Sequence, residues 1–136
     1  MTERKRRILR FHELDRTKHS EELVGADHGV PFSLILVHSE PGDGPRLHRH
    51  PYPEVFIVES GQATFQVGGN TVVVDEGHVV VSPSGEPHGF TNSGSGQLPL
   101  IAIHGAARFA REWLAGEDPT WRSRARQGTA DSPNDD

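Results

Sequence analysis

The chain has 136 residues, a formal net charge of −5 and no cysteine, which suits one domain and excludes a catalytic domain joined to a separate regulatory one. Disulfides, thiolate metal ligands, iron–sulfur clusters and cysteine nucleophiles are thereby excluded together, whereas 9 His are an excess that points to hard or borderline metals. Residues 28–105 carry 2 basic against 7 acidic side chains, an acidic body that does not grip a phosphate backbone, so no nucleic-acid partner is expected.

Residues 1–29 read as an N-terminal segment partly ordered against the domain that follows. Arg4, Lys5, Arg6, Arg7 and Arg10 are expected to form a solvated, frayed end, and His12, His19 and His28 are expected to face solvent. From Phe32 to His104, short stretches rich in Val, Ile and Phe alternate with turn signals such as Pro41–Pro45, Gly68–Asn70 and Ser82–Gly85, recurring every 8 to 15 residues. That spacing marks an antiparallel sandwich or barrel. Between Gly61 and Gly68, Ala63, Phe65 and Val67 share one face and Gln62, Thr64 and Gln66 the other, the pattern of a half-buried strand.

Ala106, Phe109, Ala110, Trp113 and Leu114 then fall at three- and four-residue spacing before Gly116, which predicts a short C-terminal helix. The domain is thus expected over residues 30–116. Residues 117–136 are expected to be a largely disordered tail, since Gln127–Asp136 hold no apolar side chain larger than Ala. The longest apolar runs, Leu34–Val37, Val55–Val58 and Leu100–Ile103, have 4 residues, far short of a membrane span or signal-peptide core. No membrane partner and a cytoplasmic location follow as expectations.

The chemistry concentrates in Leu47-His48-Arg49-His50 and the following Pro51-Tyr52-Pro53-Glu54. On a strand, His48 and His50 face the same side about 7 Å apart, close enough to share one ion on a curved strand. Pro51 and Pro53 cannot donate ladder hydrogen bonds and bend the chain, so Glu54 re-enters on the next strand facing the same interior. These residues sit in a frame: Gly42, five residues, His48-x-His50, three residues, Glu54, six residues, Gly61. A second frame follows, with Gly77, five residues, Pro83-x-Gly85, two residues, His88, three residues and Asn92.

In these two frames the chain resembles the cupin superfamily, matching both of its motifs at every fixed position. The resemblance implies an all-β, antiparallel jelly-roll barrel with the short C-terminal helix appended, and a divalent metal held inside. Carried over by position, the ligands are His48, His50, Glu54 and His88. Three imidazoles and one carboxylate fill four of six octahedral positions and suit Fe or Mn first, with Ni, Co, Cu or Zn also compatible. Gly42, Gly61, Gly77 and Gly85 are expected at turns with positive φ, and Asn92 is expected to bond turn backbone. The motif commonly has Asp where this chain has His78, which by strand parity is a surface position.

Parity from the ligands places Arg46, Phe56, Val58 and Phe90 around the metal, with Phe65 on the adjoining wall, as candidate substrate-binding residues. Arg46 is the candidate clamp for a substrate carboxylate or enolate. His104, at the end of the last strand, is a candidate catalytic residue with Glu54, as a general base or a partner of the ligands; His38 lies at a similar strand exit. The barrel contains no lysine for Schiff-base chemistry, so substrate activation falls to the metal. Two function classes follow. The first is an oxidoreductase of dioxygenase type acting on a small enolisable or aromatic compound. The second is a non-redox metal-dependent isomerase, cyclase or decarboxylase, or a cupin that binds a small molecule without turnover. The resemblance also implies a homodimer, with Ile8–Leu14 available for strand exchange.

Overall fold

The computed structural model describes residues 8–114 and 121–122. The tail expected over 117–136, apart from residues 121–122, and the basic cluster Arg4–Arg7 lie outside the described residues. In chain order the strands are β1 (Asp15–Arg16), β2 (Ser20–Leu23), β3 (Ser33–Ser39), β4 (Gly44–Pro45), β5 (His48–Arg49), β6 (Glu54–Val58), β7 (Gln62–Val67), β8 (Asn70–Asp75), β9 (Val79–Ser82), β10 (His88–Asn92), β11 (Leu98–His104), β12 (Glu112–Trp113) and β13 (Trp121–Arg122). They form a six-stranded sheet in the order β1-β2-β3-β11-β6-β9, a five-stranded sheet β12-β5-β10-β7-β8, and the pair β13-β4. Every pairing is antiparallel. The architecture is the antiparallel barrel that the strand pattern predicts, in the jelly-roll form that the cupin resemblance implies. Among the described residues no helix is long and apolar enough to cross a membrane.

Alternation builds the interior. From Gly44 to Val58 every even-numbered residue is buried and every odd-numbered one is partly or wholly exposed, straight through the Pro51 and Pro53 corner. On β11, Leu98, Leu100, Ala102 and His104 point inward, and on β7 Ala63 and Phe65 do so. Phe56, Phe65 and Phe90 pack edge-on or tilted with ring centroids 5.0 to 6.1 Å apart, geometry that aromatic pairs prefer. Gly42, Gly61, Gly77 and Gly85 all adopt positive φ. At Gly61 a Cβ would also approach the Gln97 carbonyl to 3.2 Å, so the turn into β7 needs glycine on both counts.

The N-terminal segment joins the barrel through β2, which pairs with β3 from Ser20↔Val37 to Leu23↔Leu34. Asn92 bonds turn backbone as expected, donating Nδ2–H to the Ser39 and Gly96 carbonyls and accepting from Gly94 N–H. His78 is exposed beside Asp75.

The C-terminal helix is a correction. Residues 105–111 are irregular and lead into the short strand β12. A helix needs its carbonyls for amides four residues on, and here they bond elsewhere: Ala106 O accepts from the Ser33 hydroxyl, Ala107 O from Ala26 N–H, and Ala110 O from the His50 ring. The segment is an extended strap laid across one end of the barrel. Its apolar residues contact different parts of the barrel, Phe109 against His104 and Trp113 against His48.

Candidate metal centre

Five strands bring polar residues to the end of the barrel beneath the strap. Register places His48 of β5 opposite His88 of β10, and Glu54 of β6 opposite His104 of β11 on one side and Ser82 of β9 on the other. One ligand atom from each of His48, His50, Glu54 and His88 lies within 4.8 Å of the others, and all four residues are buried. The two frames separated in sequence thus converge on one point.

The hydrogen bonds around the rings fix which nitrogen faces inward. His48 Nδ1 donates to the Arg46 carbonyl at 2.6 Å, His50 Nδ1 to the Ala110 carbonyl at 2.7 Å, and His88 Nδ1 lies 3.2 Å from the Glu86 carbonyl and 2.9 Å from Ser82 Oγ. A carbonyl can only accept, so His48 Nδ1 and His50 Nδ1 each carry a proton, and Nε2 is the atom each ring turns inward. His50 Nε2 and His88 Nε2 both stand 3.0 Å from Glu54 Oε1. The His50 contact lacks hydrogen-bond geometry, leaving that buried nitrogen without a partner. Lone pairs on nitrogen and carboxylate oxygen at such distances repel unless a cation or proton lies among them. A divalent metal satisfies all the donors at once, so the residues fit one.

The electrostatics agree. Burial, with His88 close by, pushes the His48 imidazole down to about 3, so the ring is a neutral donor at ordinary pH. Burial alone would raise the Glu54 carboxyl, but its contacts with His104, His50 and His88 outweigh that and hold it well below the usual carboxylate range. It is an anionic donor.

His104 belongs to the same cluster without being one of the four. Its Nε2 lies 2.9 Å from Glu54 Oε2, the oxygen turned away from His50 and His88, though off the line of a good hydrogen bond. Its Nδ1 lies 2.7 Å from Tyr52 Oη, which also accepts from Ala110 N–H at 3.3 Å. The hydroxyl proton is then left for Nδ1, and the ring proton for Nε2. Burial lowers the His104 pKa, partly countered by Glu54.

A cavity of about 300 Å³ opens from this cluster. His48, Glu54, His88 and His104 line its inner end, and Ile35, Val37, Phe56, Phe90 and Ala102 its walls. Arg46, Val58 and Phe65 are buried on the expected faces but do not line the cavity; Val58 and Phe65 belong to the apolar core beyond it. His38 lies away from the cavity, paired with Glu21 at 2.6 Å. His19, expected in solvent, instead lines the cavity and is only partly exposed. Arg111 and Trp113 also line it, although the sequence pattern places neither at the site and Trp113 only on the expected helix. Their one local signal is a two-residue spacing, hidden inside a longer helix-like pattern.

Comparison with known proteins yields the same fold. A variant of Bacillus subtilis oxalate decarboxylase superposes with a TM-score of 0.67 at 24% identity, over 78% of this chain and 31% of that one. A structure described by the Mn(II) centres of the same enzyme gives 0.66 at 24% identity, over 77% and 31%. The chain therefore spans under a third of those proteins. An uncharacterized conserved protein with a double-stranded β-helix domain from Klebsiella pneumoniae matches at 0.63 and 20% identity, over 79% of this chain and 96% of that one. No curated protein matches the sequence. The family model described as "Cupin domain" covers residues 35–104, from the middle of β3 to the end of β11. With both motifs, the barrel and this match in agreement, the chain belongs to the cupin family.

Proposed function

We propose that this cupin holds one divalent transition metal, Fe or Mn by preference, at His48, His50, Glu54 and His88, and is an oxidoreductase of dioxygenase type acting on a small enolisable or aromatic compound. The observation that carries the reading is the set of inward-facing Nε2 atoms gathered on Glu54 Oε1 at the closed end of an apolar cavity. When bound, such an ion supplies Lewis acidity and, as Fe or Mn, access to O2. The chain's own residues do the rest. Phe56, Phe90, Val37 and Ala102 shield the reacting end from water and suit a flat, weakly polar body better than a sugar. His104, held by Tyr52, orients Glu54 through Oε2, which makes it a positioning residue rather than a free base.

A decarboxylase reading is supported by the likeness to oxalate decarboxylase. Metal analysis of protein purified without added metal, followed by oxygen uptake with enolisable and phenolic compounds after Fe(II) or Mn(II) loading, separates the two. Uptake with at least one compound is expected; none with any metal would refute the dioxygenase reading, and CO2 release without uptake would establish the other. A cytoplasmic homodimer completes the proposal. Ile8 and Phe11, 88% and 64% exposed on the N-terminal segment, support a partner that covers them.

A further inference from the structure

The cavity's outer rim differs in kind from its walls. There Thr17, His19, Ser20 and Glu22 of the N-terminal segment line the cavity together with Arg111 and Trp113 of the strap. The Arg111 guanidinium carbon lies 5.5 Å from the Trp113 ring centroid, and that ring lies 5.0 Å from the His48 ring. A cation therefore stands one aromatic ring away from a candidate metal ligand. The strap holds it there: Trp113 pairs with His48 in register, and the neighbouring Glu112 takes Arg49 Nε at 2.9 Å. Among the described residues Arg111 forms no direct ion pair; it lies over the Trp113 face and interacts electrostatically with Glu22.

Charge and size narrow what fits. If a divalent ion sits at the inner end, the ion and Arg111 carry three positive charges against the two negative ones of Glu54 and Glu22, so the cavity complements a single negative charge. About 300 Å³ is roughly ten water volumes, a ligand of on the order of ten heavy atoms. Between its two polar ends the wall is apolar. A guanidinium fork matches a carboxylate better than any other common anion short of phosphate, and a phosphate's double charge would exceed what the cavity balances.

We propose that Arg111 is the specificity-determining anion receptor of this cavity, and that its ligands are small monocarboxylates with a flat apolar body, the carboxylate on Arg111 and the body along Phe56 and Phe90. This rests on the functional reading above and names its substrate class; Arg111, not Arg46, becomes the clamp.

The test uses the full-length chain, benzoate, and its neutral analogue benzamide, titrated calorimetrically with and without Mn(II), while metal content is measured separately. Arg111→Gln is expected to weaken benzoate about 10- to 100-fold, the worth of a charged hydrogen-bonded pair, and to leave benzamide within twofold. Equal benzoate affinity in the variant, equal weakening of both probes, or no saturable benzoate binding to the unaltered chain would overturn the proposal. Absent metal with a preserved Arg111 effect would count against the metal reading alone, and stoichiometric metal without that effect against the anion receptor alone.

Discussion

The two halves of the barrel interior are built by the same strands and do opposite work. Along β6 the inward positions run Glu54, Phe56, Val58; along β11 they run His104, Ala102, Leu100, Leu98; on β10, His88 gives way to Phe90. At one end buried polar groups are collected and left in need of a cation. At the other, Val58, Ala63, Phe65, Leu98 and Leu100 close into a core with 1% exposure or less. The alternation that makes a barrel specifies only which face is inside; position along the strand decides whether that face packs a core or gathers metal-ligating groups. Buried charge and imidazole cost stability in the metal-free state, and the apolar half offsets it.

Substitutions can separate the halves. The largest expected effect is His50→Ala, which abolishes stoichiometric metal binding by elemental analysis; unchanged content would refute the ligand assignment. Phe65→Ala in the apolar half should cost about 3–5 kcal/mol in urea unfolding yet leave metal per folded chain unaltered, and a loss of metal there would mean that the halves are not independent.

Metal-free protein should also weaken as the pH falls. The folded His48 titrates near 3 against an ordinary 6.5, so between those values the unfolded chain takes up a proton that the native one refuses. Stability then drops by up to about 1.4 kcal/mol per pH unit from this group. His104 acts in the same direction, as does Glu54 below its ordinary 4.5. Denaturation at pH 7.5, 6 and 5 checks the sign; stability constant or rising toward pH 5 would contradict it. The smallest effect is assigned to Tyr52→Phe, which keeps the ring stacked on His50 but removes the hydroxyl from His104. Metal affinity should fall about tenfold in a chelator competition, and an unchanged value would disconnect Tyr52 from the site.

What the sequence makes legible follows from how far the partners lie apart. His48, His50 and Glu54 are read from spacing because one strand, one corner and the next strand set their faces locally, and the turn glycines are read from the backbone they permit. His88 needs the second frame. The strap carries a period of three and four residues that fits a helix, while the bonds that hold it extended reach back to Ala26, Ser33 and His50. His19 is hidden from sequence for the same reason: its approach to the cavity depends on β2 docking on β3, a pairing with no local mark. Arg46 is buried on its predicted face but does not line the cavity, since parity gives direction and not depth.

The unbroken parity from Gly44 to Val58 has a consequence for how this protein can change. Deleting or inserting one codon between His50 and Glu54 would turn either the imidazole pair or the carboxylate outward, whereas a two-codon change keeps all three facing in and only shifts them along the barrel. Lineages and designers alike are therefore confined to even steps in that stretch. The odd positions, Arg49, Pro51, Val55 and Ile57 among them, form the half of the stretch in which a surface, a partner or a charge pattern can be rewritten while the interior is inherited intact.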